Sequence, residues 1–405
     1  MRSRWAGLGI LVALFASALA LRPQIVGIGP LLPEIQDDLS LSHAVAGLLG
    51  TIPVLCMGLF APPAPYLLGR AGTRYAIAAT VGLIGAAGLA RALAPGAVPV
   101  ILLTIPVGIG IGLAGALMPV AVKERFPHRP AFATGMYTTG INTGSALSAA
   151  TAVPIAATAG GWRTALVVFS AVTVGLAGLW LARTRGEPPH ARPDARPPRL
   201  PFRSPMVWLL VGMFGLLGIT YYGMNAWLPD SYVERGWTEE SAGALLAALN
   251  VASIPGGLTV AWLADRRGSR RLFLVLLASI QVLALLGIIL APSAGWLWAP
   301  LFGMSNGGLF ALIMTLPLDV AHDPARVGAV AALVLGAGYC VSALAPFGLG
   351  AVRDATGSFT ATLWVIVGTM CLFLALAAAL TRERLHRGVE VAQGALYEPG
   401  RASSR

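Results

Sequence analysis

Few side chains in this sequence can do chemistry, and the one furthest from its ordinary surroundings is Arg22. It lies in the apolar run that opens the chain and is followed at once by Pro23. A guanidinium stays charged in a protein and presents a rigid fork of N–H donors, matched to carboxylate-like oxygens. In hydrocarbon it costs about 2.5–3.5 kcal/mol on insertion scales, so it must keep a counter-charge, water or a ligand. All 17 acidic residues fall in loops, in tails or at the ends of apolar runs, with Glu34 and Asp230 among the last. A structural ion pair therefore has no obvious donor of negative charge, and the expected ligand is a small anion or an electron-rich planar molecule. Pro23 has no N–H to give, which frees the Leu19 carbonyl and bends the helix beside the charge.

Other polar groups could line the same cavity. Tyr221 and Asn225 are i, i+4 neighbours in a run that also holds Thr220 and Tyr222; Tyr137, Thr138, Asn142 and Ser145 recur at helical spacing in another. Asn250, Asn306 and Tyr339 add one group each from three further runs. Any of them could instead bond a neighbouring helix. That reading is favoured for the serines and threonines, and it stands level with a cavity role for Asn225, Asn306, Tyr221, Tyr222 and Tyr339. Catalytic constellations are missing. The histidines (His43, His128, His190, His322 and His386) lie in loops, tails or run edges, and Cys56, Cys340 and Cys371 have no metal-ligand spacing. No ATP-binding glycine loop occurs. The expectation is a protein that is not an enzyme and uses no metal or cofactor.

The elements that must hold these residues follow from composition. Of 405 residues 56% are hydrophobic and 11% charged, with mean hydropathy +0.76, whereas soluble domains carry about a quarter charged residues. Apolar runs of roughly 20 or more residues recur twelve times, near 5–33, 43–69, 74–93, 98–122, 131–158, 163–183, 204–230, 241–264, 271–291, 295–318, 327–351 and 359–381. The fold predicted is all-α and polytopic, with twelve transmembrane helices, spans 1 to 12. Arg22 is about eleven residues from the end of span 1, roughly 16 Å deep in a 30 Å core. Net charge +11 does not imply a nucleic-acid partner, because 23 of the 28 basic residues fall on one side of the spans. Four (Arg91, Arg163, Arg235 and Arg353) fall on the other. The positive-inside rule then puts both termini in the cytoplasm of a cell-membrane protein whose basic loops face anionic lipid. Arg2, Arg4 and Ala18-Leu19-Ala20 imitate a signal peptide, but cleavage would delete span 1, so the segment is read as retained.

The spans repeat. At an offset of 196 residues Leu32-Pro33-Glu34 matches Leu228-Pro229-Asp230, Gly47 matches Gly243, and Arg70-x-Gly72-x-Arg74 matches Arg266-x-Gly268-x-Arg270. This gives two six-helix repeats: residues 1–183, a proline-rich cytoplasmic linker 184–203, residues 204–381, and a cytoplasmic tail 382–405. Two parallel repeats with a site near the midplane describe a secondary transporter. The run from Ala261 through Asp265 to Arg271 resembles the loop signature of the major facilitator superfamily; its first-half copy has Gly69 in place of the aspartate. Leu21-Arg22-Pro23, Gly29 to Pro33, Met118-Pro119 with Lys123 and Arg125-Phe126, Ala226 to Pro229, and Ala345-Pro346 with Arg353 are similar to the bacterial cyanate permease and 2-nitroimidazole transporter branch.

That resemblance implies alternating access and a site among spans 1, 4, 7 and 10, which raises Tyr221, Asn225 and Asn306. It also implies a cytoplasmic gate in which Asp265 pairs with Arg326 and works with Asp319, flanked by Arg266 and Arg270. With Gly69 and Lys123 at the first-half positions, the expected latch is asymmetric. The expected function is transport of a small monovalent anion of cyanate type with Arg22 at its centre; the alternative is export of a neutral heteroaromatic of nitroimidazole type. Ser148-Ala149, where drug–proton antiporters of the superfamily carry Gly-Pro, counts against a multidrug carrier. Uniport, anion exchange and proton movement with the substrate remain open. Its partners are the substrate and the bilayer, and a monomer is expected.

Overall fold

Long apolar stretches closed by glycine and proline turns form helices because a backbone in hydrocarbon must bond itself. The computed structural model describes residues 2–126, 128, 130–158, 160–185, 200–267, 270–320 and 324–380. Its helices are α1 (Arg2–Leu19), α2 (Pro23–Val26), α3 (Leu32–Leu39), α4 (His43–Phe60), α5 (Ala64–Leu93), α6 (Ala97–Arg125), α7 (Pro130–Thr158) and α8 (Trp162–Arg183). The second half holds α9 (Pro205–Val233), α10 (Glu239–Arg267), α11 (Arg270–Leu290), α12 (Gly295–Val320), α13 (Pro324–Ser342), α14 (Leu344–Thr356) and α15 (Phe359–Ala379). Among the described residues eleven segments are long and apolar enough to cross a membrane. The twelfth expected span is α7, a helix of 29 residues in which glycine, alanine, serine and threonine displace the larger apolar side chains. Such a surface suits close packing against other helices better than contact with lipid.

The repeat read from sequence is a repeat of packing. Helix α4 begins at His43 and α10 at Glu239, an offset of 196. Helix α5 packs on α6 and α8, as α11 does on α12 and α15; α1 packs on α7 as α9 does on α13. Span 2 ends earlier than its hydropathy suggested, at Phe60, and the apolar residues after it start α5, which kinks at Gly72 with φ +67°.

Spans 1 and 11 are each broken. Span 1 runs as α1, the single turn α2, a 3-10 turn at Gly29–Leu31, and α3. At the Arg22–Pro23 break the Leu19 carbonyl accepts only a long 3.5 Å bond from the Arg22 N–H. Helix α7 lies against this turn through Gly140 and Gly144: a Cβ on Gly144 would stand 2.3 Å from the Leu19 carbonyl oxygen. Span 11 breaks at Ala343 between α13 and α14.

The halves meet where α4 packs on α13 and α14 and where α7 packs on α10. At one end of the molecule their backbones touch. A Cβ on Gly47 would lie 2.3 Å from the Pro346 carbonyl oxygen, and one on Gly350 would lie 2.4 Å from that of His43. Asp354 of α14 caps α4 from the opposite half, accepting from the His43 and Ala44 N–H groups at 3.0 and 2.8 Å, while the His43 ring stands 2.8 Å from the same carboxylate. Thr51 of α4 donates to the Ala343 carbonyl at 2.8 Å and accepts from the Phe347 N–H at 3.0 Å. Those are the two backbone groups that would bond each other in an unbroken helix, so Thr51 has taken the place of one rung of span 11.

Two outcomes follow. Gly144→Val is expected to cost about 1–3 kcal/mol by overpacking, whereas Gly82→Ala, with open space at its Cα, stays within about 0.5 kcal/mol; thermal unfolding in detergent separates them. Thr51→Val removes both bridges and is expected to shift the balance toward separated halves by about tenfold. Spin labels at the exposed Ser40 and Ala355 should then report a second, longer distance; an unchanged distance distribution would show that the rung carries no closure energy.

Candidate functional site

Residue 22 lies near the middle of the first membrane-spanning segment, Leu8–Leu39. The break turns Arg22 out of the helix: it stands at the N-cap of α2 with φ −108° and ψ −32°, partly buried. Its guanidinium donates from Nη1 to the Tyr222 hydroxyl at 3.2 Å, and that hydroxyl faces the Met57 sulfur at 3.8 Å. None of the ion pairs between described residues includes Arg22. The charge contributed by the first half is met by neutral phenols from the second.

Those phenols form a wall. Tyr221 and Tyr222 meet edge-to-face with centroids 5.2 Å apart, Tyr222 and Tyr339 lie 6.4 Å apart, and Phe214 backs Tyr339 at 5.0 Å. Tyr339 of α13 reaches across to pack on the apolar core of the first half, as Tyr137 does from α7. An amide chain fixes the wall from behind. The Tyr221 hydroxyl donates to Asn250 Oδ1 at 3.0 Å, Asn250 Nδ2 to Asn225 Oδ1 at 3.1 Å, and Asn225 Nδ2 to the Tyr221 carbonyl at 2.8 Å. A small recess is lined from both halves by Ile25, Gly29, Gly50, Tyr222, Asn225 and Pro346; it reaches Tyr222, the partner of Arg22, but Arg22 does not line it.

The structure thus brings Arg22, Tyr221, Tyr222, Asn225 and Tyr339 together. Tyr137 and Asn142 stand partly buried on α7, and Asn142 has no hydrogen bond to another described residue. Asn306 is buried and accepts from Gln281 Nε2 of α11 at 3.4 Å, in a group that includes Thr220. No hydrogen bond between described residues joins it to Arg22 or to the three tyrosines. Of the gate residues, the side chains of Asp265, Asp319 and Arg326 lie outside the described residues. Lys123 and Arg266 are exposed, and Arg270 donates to the Thr315 carbonyl of α12 at 3.1 Å.

Two buried groups escape a hydropathy reading. Asp230, counted as a span-end acid, is 8% exposed and accepts from Gln36 Nε2 at 3.3 Å across the two halves. Arg91, counted with the loop charges, is wholly buried and bonds Gln24 and Thr104. Both sit in the last turns of their helices, where sequence distance from the span end says nothing about the direction of the side chain. The polar Gln24, two residues beyond Arg22 in an otherwise apolar run, was the available signal for Arg91.

Comparison with known proteins gives this geometry a family. The family model of the Major Facilitator Superfamily matches residues 6–346. The chain is 30% identical over 351 residues to the cyanate transport protein CynX of Escherichia coli (strain K12), covering 86% of this chain and 91% of that one. It is also 30% identical over 362 residues to the 2-nitroimidazole transporter of the same organism, covering 87% and 90%. A solved bacterial homolog of the human lysosomal transporter Spinster superposes with a TM-score of 0.75 at 18% identity, over 97% of each chain, which shows a shared fold. The two halves that repeat at 196 residues, with a charge from one facing an aromatic wall from the other, are those of a membrane transporter, and the chain belongs to the Major Facilitator Superfamily.

Proposed function

We propose that the protein carries a small monovalent anion of cyanate type by alternating access, with Arg22 as the central binding charge. The observation that carries this reading is the guanidinium at the span 1 break, bonded to a phenol and paired with no carboxylate among the described residues. A planar anion completes what Arg22 lacks, since the fork can give two parallel N–H bonds. A dry site strengthens each of them. The Tyr222 hydroxyl, held by a wall that the Asn225–Asn250 amides fix from behind, then supplies a neutral polar group that does not compete for the charge.

The charge asymmetry of the loops supports an orientation with both termini in the cytoplasm. The His43 end then faces outward, and the structure corresponds to a carrier closed on the outside. Residues 1–183 and 204–381 act as the two moving bodies, joined by 184–203 and followed by the tail 382–405. Their cytoplasmic gate is carried by Asp265, Asp319 and Arg326 with Arg266, Arg270 and Lys123.

A second reading, carriage of a neutral heteroaromatic of nitroimidazole type, is favoured by the three tyrosine rings around the guanidinium. Their faces can stack on a planar ring. The measurement is uptake of labelled cyanate, nitrate and 2-nitroimidazole into liposomes holding wild type, Arg22→Lys or Arg22→Gln. Wild type should take up an anion, Arg22→Gln should lose at least about a hundredfold in that uptake, and Arg22→Lys should fall between, keeping charge without the fork. Equal anion uptake by wild type and Arg22→Gln overturns the assignment. Uptake of 2-nitroimidazole alone decides for the second reading.

A further inference from the structure

A second guanidinium lies deeper than the first. Arg91, in the last turn of α5, is 0% exposed and carries no carboxylate partner among the described residues. Its Nη2 donates to Gln24 Oε1 at 2.6 Å and to the Gln24 carbonyl at 3.2 Å, and its Nη1 donates to Thr104 Oγ1 at 3.4 Å. Its Nε has no acceptor. Gln24 in turn donates from Nε2 to Ser170 Oγ of α8 at 2.9 Å. One side chain of the four-residue helix α2 is thereby tied to α5 and α8, and Arg91 carries the link on to Thr104 of α6.

A buried charge without a counter-ion is itself a liability, so what Arg91 bonds, rather than its charge, explains the arrangement. The geometry serves the break in span 1. Helix α2 is a single turn, and none of the backbone bonds around it ends on the Gln24 carbonyl. A carbonyl freed in the membrane needs a donor, and Arg91 supplies it while holding the side chain of the same residue. The seat is closed on its far side by Gly88, where a Cβ would stand 2.8 Å from the Gln24 amide and 2.7 Å from Ser170 Oγ.

We propose that Arg91 is a positioning residue for Arg22: by clasping both acceptors of Gln24 it fixes the turn whose N-cap is Arg22, and so sets where the binding charge stands. This rests on the reading of Arg22 as the substrate-binding charge. Gln24 lies two residues from Arg22 within one turn, so a displaced Gln24 moves the backbone that aims the guanidinium. Binding sites tolerate about 0.5 Å of such error. Arg91 acts through the turn and touches no substrate.

The test uses the full-length protein. In liposomes with cyanate as probe, Arg91→Met should raise KM about tenfold and leave the maximal rate within about twofold, as expected for loss of bonds to a charged group that orients a binding residue. Its melting temperature should fall, because both Gln24 acceptors lose their donor, and Arg91→Lys, which keeps a donor, should recover part of the loss. In an Arg22→Gln background Arg91→Met should add nothing, and additive losses would overturn the proposal. Gln24→Glu, which keeps both acceptors for Arg91, should hold KM within about threefold of wild type; a loss as large as that of Arg91→Met would also count against it. A second arm needs no substrate. In a chain freed of Cys56, Cys340 and Cys371, the reaction rate of Arg22→Cys with a charged methanethiosulfonate should change about fivefold on adding Arg91→Met, or Arg91→Lys should the methionine variant not fold. An unchanged rate refutes the clasp even if cyanate proves not to be carried, while absent cyanate uptake with a changed rate refutes only the substrate reading.

Discussion

The structure depends on one electrostatic constraint: a permanently charged guanidinium placed midway along a helix that crosses hydrocarbon. Three features answer to it. The helix must open so that the side chain leaves the lipid-facing surface, which Pro23 achieves by removing an N–H from the ladder. The carbonyls released by that opening must find donors, which explains both the long Arg22–Leu19 bond and the reach of Arg91 to the Gln24 carbonyl. Finally, the facing surface must be polar without being anionic, since a carboxylate there would hold the charge permanently. The phenols and amides of α9, α10 and α13 meet that requirement, because a neutral acceptor solvates a guanidinium while leaving its charge to attract a ligand.

The two repeats contribute different things. At the shared register Arg22 and Pro23 correspond to Gly218 and Ile219, and α9 continues as one helix of 29 residues where span 1 breaks. Tyr221 and Tyr222 stand at the register of Ile25 and Val26. The repeat thus supplies two scaffolds of like packing, and the residues that distinguish them put the cation in one half and the aromatic and amide groups in the other. On the proposed reading, a site divided in this way is assembled only when the halves are close, which would couple occupancy to their relative position.

Much of this was legible in the residues. Span number, the repeat, the isolation of Arg22 from acids and the kink at Pro23 follow from hydropathy, spacing and the missing proline N–H, all of which are local properties. What could not be read is non-local. The direction of Arg91 depends on a seat built from Gln24, Gly88, Thr104 and Ser170 on four different helices. The partner of Asn306 depends on Gln281 arriving from α11. The burial of Asp230 depends on Gln36 arriving from the other half. None of these leaves a periodic trace in its own segment.

The way the halves touch bears on how they come apart. Where α4 meets α13 and α14 the contact is made by glycines against carbonyl oxygens, at Gly47, Gly58 and Gly350, and by hydrogen bonds from Thr51, His43 and Ala44. Backbone contacts of this kind order two helices closely, yet each hydrogen bond in a membrane protein is worth only about 0.6–2 kcal/mol net. Thr51 suggests why opening need not leave groups unsatisfied: the Phe347 N–H and the Ala343 carbonyl that it bridges stand four residues apart, the spacing at which they would bond each other in a continuous span 11. A closure whose broken bonds have replacements within one half costs little to release. That is the condition under which the differential affinity of a small ligand, rather than a large conformational energy, decides which side is open.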